Sequence, residues 1–434
     1  MKAPTTPPSM AKLKEQFITN GGDIAALFTF ELPNSPYYNY DDLKHRIPPH
    51  PLLKNQDDWR LKIAIDRLGK FNRLPLEDVS GEPFKFFIDN TDLELLHNLD
   101  LQAGNKSEKE SDSYLIASKI EESLNSSVLE GAVTTRDIAR KMIAENRTPK
   151  DTSEQMVFNN YKTMQALESF KERPLSPELI CEIHEMIAQS TMPANQVGRF
   201  RNDADNIALA DTIDGTVYYT PPPAELLSER IAKLCKFTNE SGDTFIHPIV
   251  KAIIIHFWLA YEHPFCDGNG RTARALFYWF LLKYDYRIIK YISISKLIVA
   301  TGKRYYKTFL DSETDNNDLN YFVKFQMEIL KRSVETFTRY VKKKQDETLI
   351  SMQNYALLGK LNSRQRNVAL KILRHKNEYL EFTLEAHMNL NGITLETARR
   401  DMNHLFKLKL FNRHKNGNKH IFTPSKNFEQ ILAR

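Results

Sequence analysis

The stretch "HPFCDGNGRTAR", His263–Arg274, decides how the chain is read. It is preceded by "HPIVKAIIIHFWLAYE" and followed by "ALFYWFLLK", both apolar on nearly every face, as buried helices are. The stretch is therefore a loop between two core helices, and the fold it predicts is mainly α. Gly268 and Gly270 permit positive φ and leave backbone amides uncovered, and the next helix begins at once, with its N–H groups and dipole turned into the loop. That is a cradle for an anion. Arg271 and Arg274, three residues apart, share a face of the first helical turn, where two guanidiniums can grip adjacent phosphates. Asp267 suits an oxygen contact to Mg²⁺ that neutralises such phosphates. His263 has the side chain that accepts a proton near neutral pH, as a general base for an attacking hydroxyl must. Together these residues point to nucleotidyl or phosphoryl transfer.

Composition is that of an ordinary globular protein of two or three domains: 434 residues, 41% apolar and 26% charged. The start, "MKAPTTPPSMAKLKEQ", has no apolar signal region, and the longest apolar runs fall short of the roughly 18 residues a membrane span requires. A soluble cytoplasmic chain with no membrane partner is the expectation. Cys181, Cys235 and Cys266 share no metal-like spacing and are expected to be buried thiols. The net charge of +5 is unevenly placed. Residues 360–434 hold 15 Lys and Arg against 6 Asp and Glu, a local +9, and the rest of the chain is −4. Such a tail fits an anionic partner, DNA first among them.

Three consecutive segments follow from the pattern. Residues 1–105 form an N-terminal extension with Pro-rich turns and one amphipathic helix, "DDWRLKIAIDRLGKFN", carrying Trp59, Ile63, Ile65 and Leu68 at helical spacing. After the polar run "AGNKSEKESDS", residues 106–343 read as a helical domain. Residues 357–434 read as a winged helix-turn-helix domain. Its helices are "SRQRNVALKILRH", "LEAHMNL" and "TLETARRDMNHLFKLK", the last burying Leu395, Ala398, Met402 and Leu405, followed by a hairpin wing turning at "KNGN". Arg399, Arg400 and Asn403 lie off its core face as candidate DNA contacts.

The loop matches every specified position of H-P-F-x-D-G-N-G-R-x-x-R and resembles the signature of the Fic (Fido) domain proteins. The resemblance implies an all-helical core with a small β-hairpin flap. It implies an adenylyltransferase that moves AMP from ATP, with Mg²⁺, to a hydroxyl side chain of a protein. His263 would be the catalytic base, and Asp267 would hold the metal. Gly268–Gly270 would line the phosphate loop, Asn269 would contact the α-phosphate, and Arg271 and Arg274 would bind the β- and γ-phosphates; Thr272 is counted in the same nucleotide-binding set. "GRFR" at Gly198–Arg201 and "GTVYYTPPPAELL" at 215–227 resemble the family's target-docking flap, with Thr216, Val217, Tyr218 and Tyr219 as its docking residues. Tyr305 and Tyr306 in "GKRYYKTFL" stand where the family contacts adenine, although "DSETD" follows where an asparagine is often found.

"NSSVLEGA", Asn125–Ala132, resembles the family's inhibitory motif S/T-x-x-x-E-G/N and places Ser126 and Glu130 one turn apart on a helix around 114–131 closed by Gly131. A glutamate reaching Arg274 would occupy the place of the γ-phosphate, so the reading is an autoinhibited enzyme. Two alternatives stay open: removal of AMP with Glu130 as the hydrolytic base, and a nucleotide-sensing DNA-binding regulator. The partners read are a protein with a Ser, Thr or Tyr hydroxyl, with self-modification, DNA through the C-terminal domain and a homodimer also open.

Overall fold

The computed structural model describes residues 4–32, 37–104, 112–205, 207, 209–210, 217–242, 244–374, 380–416 and 419–433. It is mainly helical, with three small antiparallel sheets. Two compact units share the chain, each drawn from three separate stretches. The first unit is Met1–Gln102, Leu167–Asp285 and Leu297–Lys331; the second is Ala103–Ala166, Tyr286–Lys296 and Arg332–Arg434. Among the described residues no helix is long and apolar enough to cross a membrane.

The first unit is built round two antiparallel helices, Pro248–Glu262 and Asn269–Lys283, joined by the His263–Gly268 turn. Ile253, Ile254, Phe257 and Trp258 on one, and Leu276, Phe277, Trp279 and Phe280 on the other, are essentially fully buried. Pro248 opens the first helix at a position where no backbone donor is needed, and the His247 imidazole accepts from Ile249 N–H. An amphipathic helix, Pro177–Ala188, packs on Asn269–Lys283 with Leu179, Ile180, Ile183, His184 and Ile187 inward. The helix Leu227–Asn239 packs against Pro248–Glu262 and against the strand Asn72–Glu77. In the N-terminal helix Gln56–Arg67, Trp59 and Ile65 are buried as the spacing predicts. Leu68 is not: it caps the helix in a non-helical conformation and is 56% exposed. Of the cysteines Cys235 is buried, whereas Cys181 and Cys266 are only half-buried.

In the second unit the helices Asp112–Leu129, Arg136–Glu145 and the start of Thr152–Phe170 share a core of Ile116, Ile120, Leu124, Met142, Ile143 and Val157. Glu122, buried on the first of these, accepts from the Ser295 backbone N–H at 3.0 Å and from the Ser293 and Ser295 hydroxyls. The chain's end has its own core. Helices Ser363–Arg374, Leu384–Asn391 and Leu395–Lys407 are followed by strands Phe411–Asn416 and Lys419–Pro424, and Phe382–Thr383 completes a three-stranded sheet with Lys419–Pro424 in the centre. Ala398, Met402 and Leu405 are buried as expected; Leu395, in the first turn, is 42% exposed.

Glu262 is completely buried and ion-paired with Arg230 at 2.7 Å, while Trp258 Nε1 donates to its other oxygen at 3.1 Å. Burial pushes its carboxyl above the usual range even with the guanidinium opposing that shift. Arg230→Met would strand the carboxylate, so urea unfolding at pH 7.5 should show a loss of about 3–5 kcal/mol. A raised folded-state carboxyl binds its proton more tightly than the unfolded one. The deficit must therefore shrink as pH falls, and unfolding at pH 5 should show it smaller.

Candidate active site

The His263–Gly268 turn is set by backbone geometry at its two ends. His263 caps the preceding helix in the left-handed conformation (φ 46°, ψ 55°), its N–H donating to Leu259 O at 3.1 Å. Gly268 opens the following helix with φ 80°, a conformation that costs a β-carbon-bearing residue roughly 1–2 kcal/mol. His263 bears that cost, and Arg201 holds it there. The guanidinium, 7% exposed, donates from Nε to His263 O at 2.8 Å and from Nη2 to Pro222 O at 2.5 Å and Glu262 O at 3.3 Å. The Arg201 N–H donates to Pro264 O at 2.8 Å.

His263 is half-buried, with Nδ1 3.4 Å from Ala260 O. A carbonyl only accepts, so Nδ1 is protonated in this pose. The rest of the turn is braced from within: Asn269 Oδ1 accepts from Phe265 N–H at 2.9 Å and its Nδ2 donates to Phe265 O at 2.8 Å. Thr272 Oγ1 donates to Gly268 O at 2.9 Å. Gly270 lies in the first turn of the helix Asn269–Lys283, behind Gly268. Asp267 accepts from Gly268 N–H at 2.6 Å through Oδ1, and its Oδ2 lies 3.3 Å from Arg271 Nη2. Its side chain is 55% exposed, whereas Arg271 and Arg274 are each 1% exposed. Arg271 also donates to Ile187 O at 3.3 Å.

Beneath the turn lies His184, which the sequence reading passed over. Its Nε2 is 2.9 Å from Asp267 O, its Nδ1 accepts from Gly198 N–H at 3.1 Å, and its ring stacks on Phe265 at 3.7 Å. Burial first, with the Arg271 charge adding to it, lowers its pKa to about 4, so the ring is neutral. One histidine on an apolar helix face looks like core in a sequence, and nothing local links it to a loop 83 residues away. The "GRFR" stretch lies under the His263–Gly268 turn through Gly198 and Arg201, where the guanidinium finds acceptors on the turn's own backbone.

In the segment expected to be the flap, Leu209–Ala210 and Val217–Tyr219 form a short hairpin, paired Leu209 to Tyr219 and Ala210 to Val217. Thr216 lies outside the described residues, and of Val217 and Tyr218 the backbone is described. Tyr219 donates its hydroxyl to Tyr261 O. Tyr305 is buried, its ring edge-on to Phe309 and its hydroxyl 3.0 Å from Nε2 of the wholly buried His256; Tyr306 is 41% exposed. In the second unit, Ser126 is buried near the end of Asp112–Leu129 and half-buried Glu130 follows that helix directly. Gly131 takes φ 92° there and Ala132 N–H returns to Ser127 O, so the expected glycine closure is present. Arg399 and Arg400 are exposed on Leu395–Lys407, and Asn403 is half-buried and accepts from Arg413 of the adjoining strand at 3.2 Å.

Residues 174–281, the segment that holds His184, Arg201 and the His263–Gly268 turn, match the family model described as Fic/DOC family. The chain is 24% identical over 204 residues to "Protein adenylyltransferase Fic" of Nematostella vectensis, covering 47% of this chain and 42% of that protein. It is 27% identical over 167 residues to "Protein adenylyltransferase fic-1" of Caenorhabditis elegans, covering 38% and 29% respectively. A solved Fic family protein from Desulfovibrio desulfuricans G20 aligns with a TM-score of 0.49 at 17% identity, over 77% of this chain and 95% of that one. The chain spans less than half the length of the curated relatives it matches.

Arg201→Lys keeps the charge but offers one ammonium where the guanidinium reaches three carbonyls in two directions. Each acceptor left without a donor in a buried site costs about 1–3 kcal/mol, so chemical denaturation should show a loss of that size for the variant.

Proposed function

We propose that the chain is a protein adenylyltransferase. The observation that carries this is the His263 turn, which presents an imidazole one short loop away from a glycine-opened helix start, its Nδ1 engaged by the Ala260 carbonyl. The domain match and the names of the relatives support the same chemistry. A target hydroxyl oxygen attacks the α-phosphorus of ATP, its proton passing to His263 Nε2. The bond from that phosphorus to the bridging oxygen of the β-phosphate breaks, and pyrophosphate leaves. Gly268 and Gly270 admit the phosphates against the first amides of Asn269–Lys283, and Arg271 and Arg274 supply positive charge behind them. Asn269 and Thr272 hold the cradle's shape, and Asn269 lies beside the α-phosphate. Tyr305 and Tyr306 border the adenine, and the Val217–Tyr219 strand pairs with an extended target segment carrying the Ser, Thr or Tyr hydroxyl.

Among the described residues no group of three or more His, Cys, Asp or Glu could hold a metal ion. The lone, largely exposed Asp267 carboxylate fits Mg²⁺, an ion that keeps several waters and is otherwise held by substrate phosphates. When bound, the ion neutralises charge on those phosphates.

Glu130 acts as a brake, engaging Arg274 in place of a γ-phosphate. The motif at Ser126–Glu130 and its position at a glycine-closed helix end support this. The second reading, removal of AMP with Glu130 positioning water, uses the same residues. With α-labelled ATP and Mg²⁺, Glu130→Gly should label itself or a target strongly, wild type weakly and His263→Ala not at all; equal labelling of all three would sink the mechanism. Label added and then lost by wild type but retained by Glu130→Gly would favour AMP removal.

The +9 tail, with Arg399 and Arg400 exposed on one helix and Arg413 and Lys415 exposed on the adjoining strand, supports a winged helix docking on duplex DNA, a separate function of the same chain. Binding of the full chain to a random-sequence duplex, followed by fluorescence anisotropy, should weaken linearly in log–log salt, and Arg399→Ala with Arg400→Ala should lower the slope by about 2. A salt-independent signal would exclude phosphate contacts.

A further inference from the structure

We propose that His184 is a positioning residue for the phosphate cradle. It fixes the peptide between Asp267 and Gly268 so that the amides following it face the nucleotide. The inference rests on reading that turn as a nucleotide site.

Both ring nitrogens are committed, each in only one sense. The Asp267 carbonyl, 2.9 Å from Nε2, can only accept, and the Gly198 N–H, 3.1 Å from Nδ1, can only donate. The ring is therefore the Nε2–H tautomer by the identity of its neighbours. Phe265, stacked 3.7 Å away with planes 2° apart, stops it from turning over. The helix Pro177–Ala188 and Gly198, at φ 68°, are thus joined to the catalytic turn through one imidazole. The fit is close from the other side too: a β-carbon at Gly268 would stand 3.3 Å from His184 Nε2, tighter than ordinary contact. Holding the Asp267 carbonyl down toward the ring leaves the peptide only one way to face, with the amide of Gly268 turned to the Asp267 carboxylate and those of the next residues beyond it. The donors are then in place before the anion arrives, and nothing must reorganise as charge develops on it.

The test uses the full chain in a Glu130→Gly background. His184→Phe keeps the stack and removes both hydrogen bonds. His184→Gln carries an amide donor where Nε2 stands, and His184→Asn an acceptor where Nδ1 stands. Misplacement of a reacting group by an ångström costs roughly 100-fold, so kcat for AMP transfer should fall by about that factor in the Phe variant, with KM for the target unchanged. The Gln variant should regain at least about tenfold of this and the Asn variant none, since the Asp267 bond is the one that orients the cradle. Equal kcat in the Phe variant and its parent, or equal losses in the Phe and Gln variants, would overturn the assignment. A measurement on the unmodified chain keeps it testable if variants fail to fold: ¹⁵N shifts of His184 at pH 7.5 should be those of a neutral Nε2–H ring, and an Nδ1–H or charged ring overturns it. If no protein is labelled, Mg·ATP affinity by calorimetry still separates the ideas. A weaker affinity in the Phe variant keeps His184 and discards AMP transfer, while equal affinities discard His184.

Discussion

A histidine held in a left-handed turn is the constraint from which one end of the first unit follows. The helices Pro248–Glu262 and Asn269–Lys283 are apolar on almost every face, so their lowest free energy lies in packing antiparallel and dry. Six residues must then reverse the chain at the edge of that core, and backbone groups brought there need partners. Arg201 supplies them for Glu262 and His263, Asn269 for Phe265, and His184 for Asp267. The strain at His263 persists because the surroundings over-determine it, which is how functional sites keep unfavourable φ and ψ.

The buried ion pair just before the turn makes the same point with charge. Glu262 would be a liability alone, but Arg230 and the Trp258 indole engage both its oxygens. The cost of burying a carboxylate beside the active site is thereby met by the helix Leu227–Asn239, which delivers Arg230. That helix, the turn and the Arg201 segment are therefore coupled through polar contacts and not through apolar packing alone.

How far the sequence could be read follows from how local each feature is. The two core helices and the glycine-opened helix start were legible because apolar patterning and loop chemistry sit within one continuous stretch, Pro248–Lys283. The helix–helix–helix–hairpin order after residue 357 was legible for the same reason, whereas the hairpin at 209–219 was expected only from the family resemblance. His184 and the role of Arg201 were not, since each acts on a backbone carbonyl, and a carbonyl belongs to every residue and leaves no mark in a sequence. The interleaving of the two units was hidden too: a polar run such as "AGNKSEKESDS" looks like a boundary whether or not the chain returns across it. Leu68 and Leu395 mislead in a simpler way. Both have helical spacing, but each stands at a helix end, where one face has no neighbouring turn to pack upon.

The distribution of polar contacts inside the turn also bears on what the turn can do. Asn269 and Thr272 spend their hydrogen bonds on the chain itself, and Arg271 shares its guanidinium between Ile187 O and the Asp267 carboxylate. A loop whose side chains were all unsatisfied would collapse on itself or recruit water, and an arriving anion would have to displace those contacts before gaining its own. Here the shape is fixed by groups that lie beneath and within the turn, and most of the polar residues crowded into this short stretch act on its backbone.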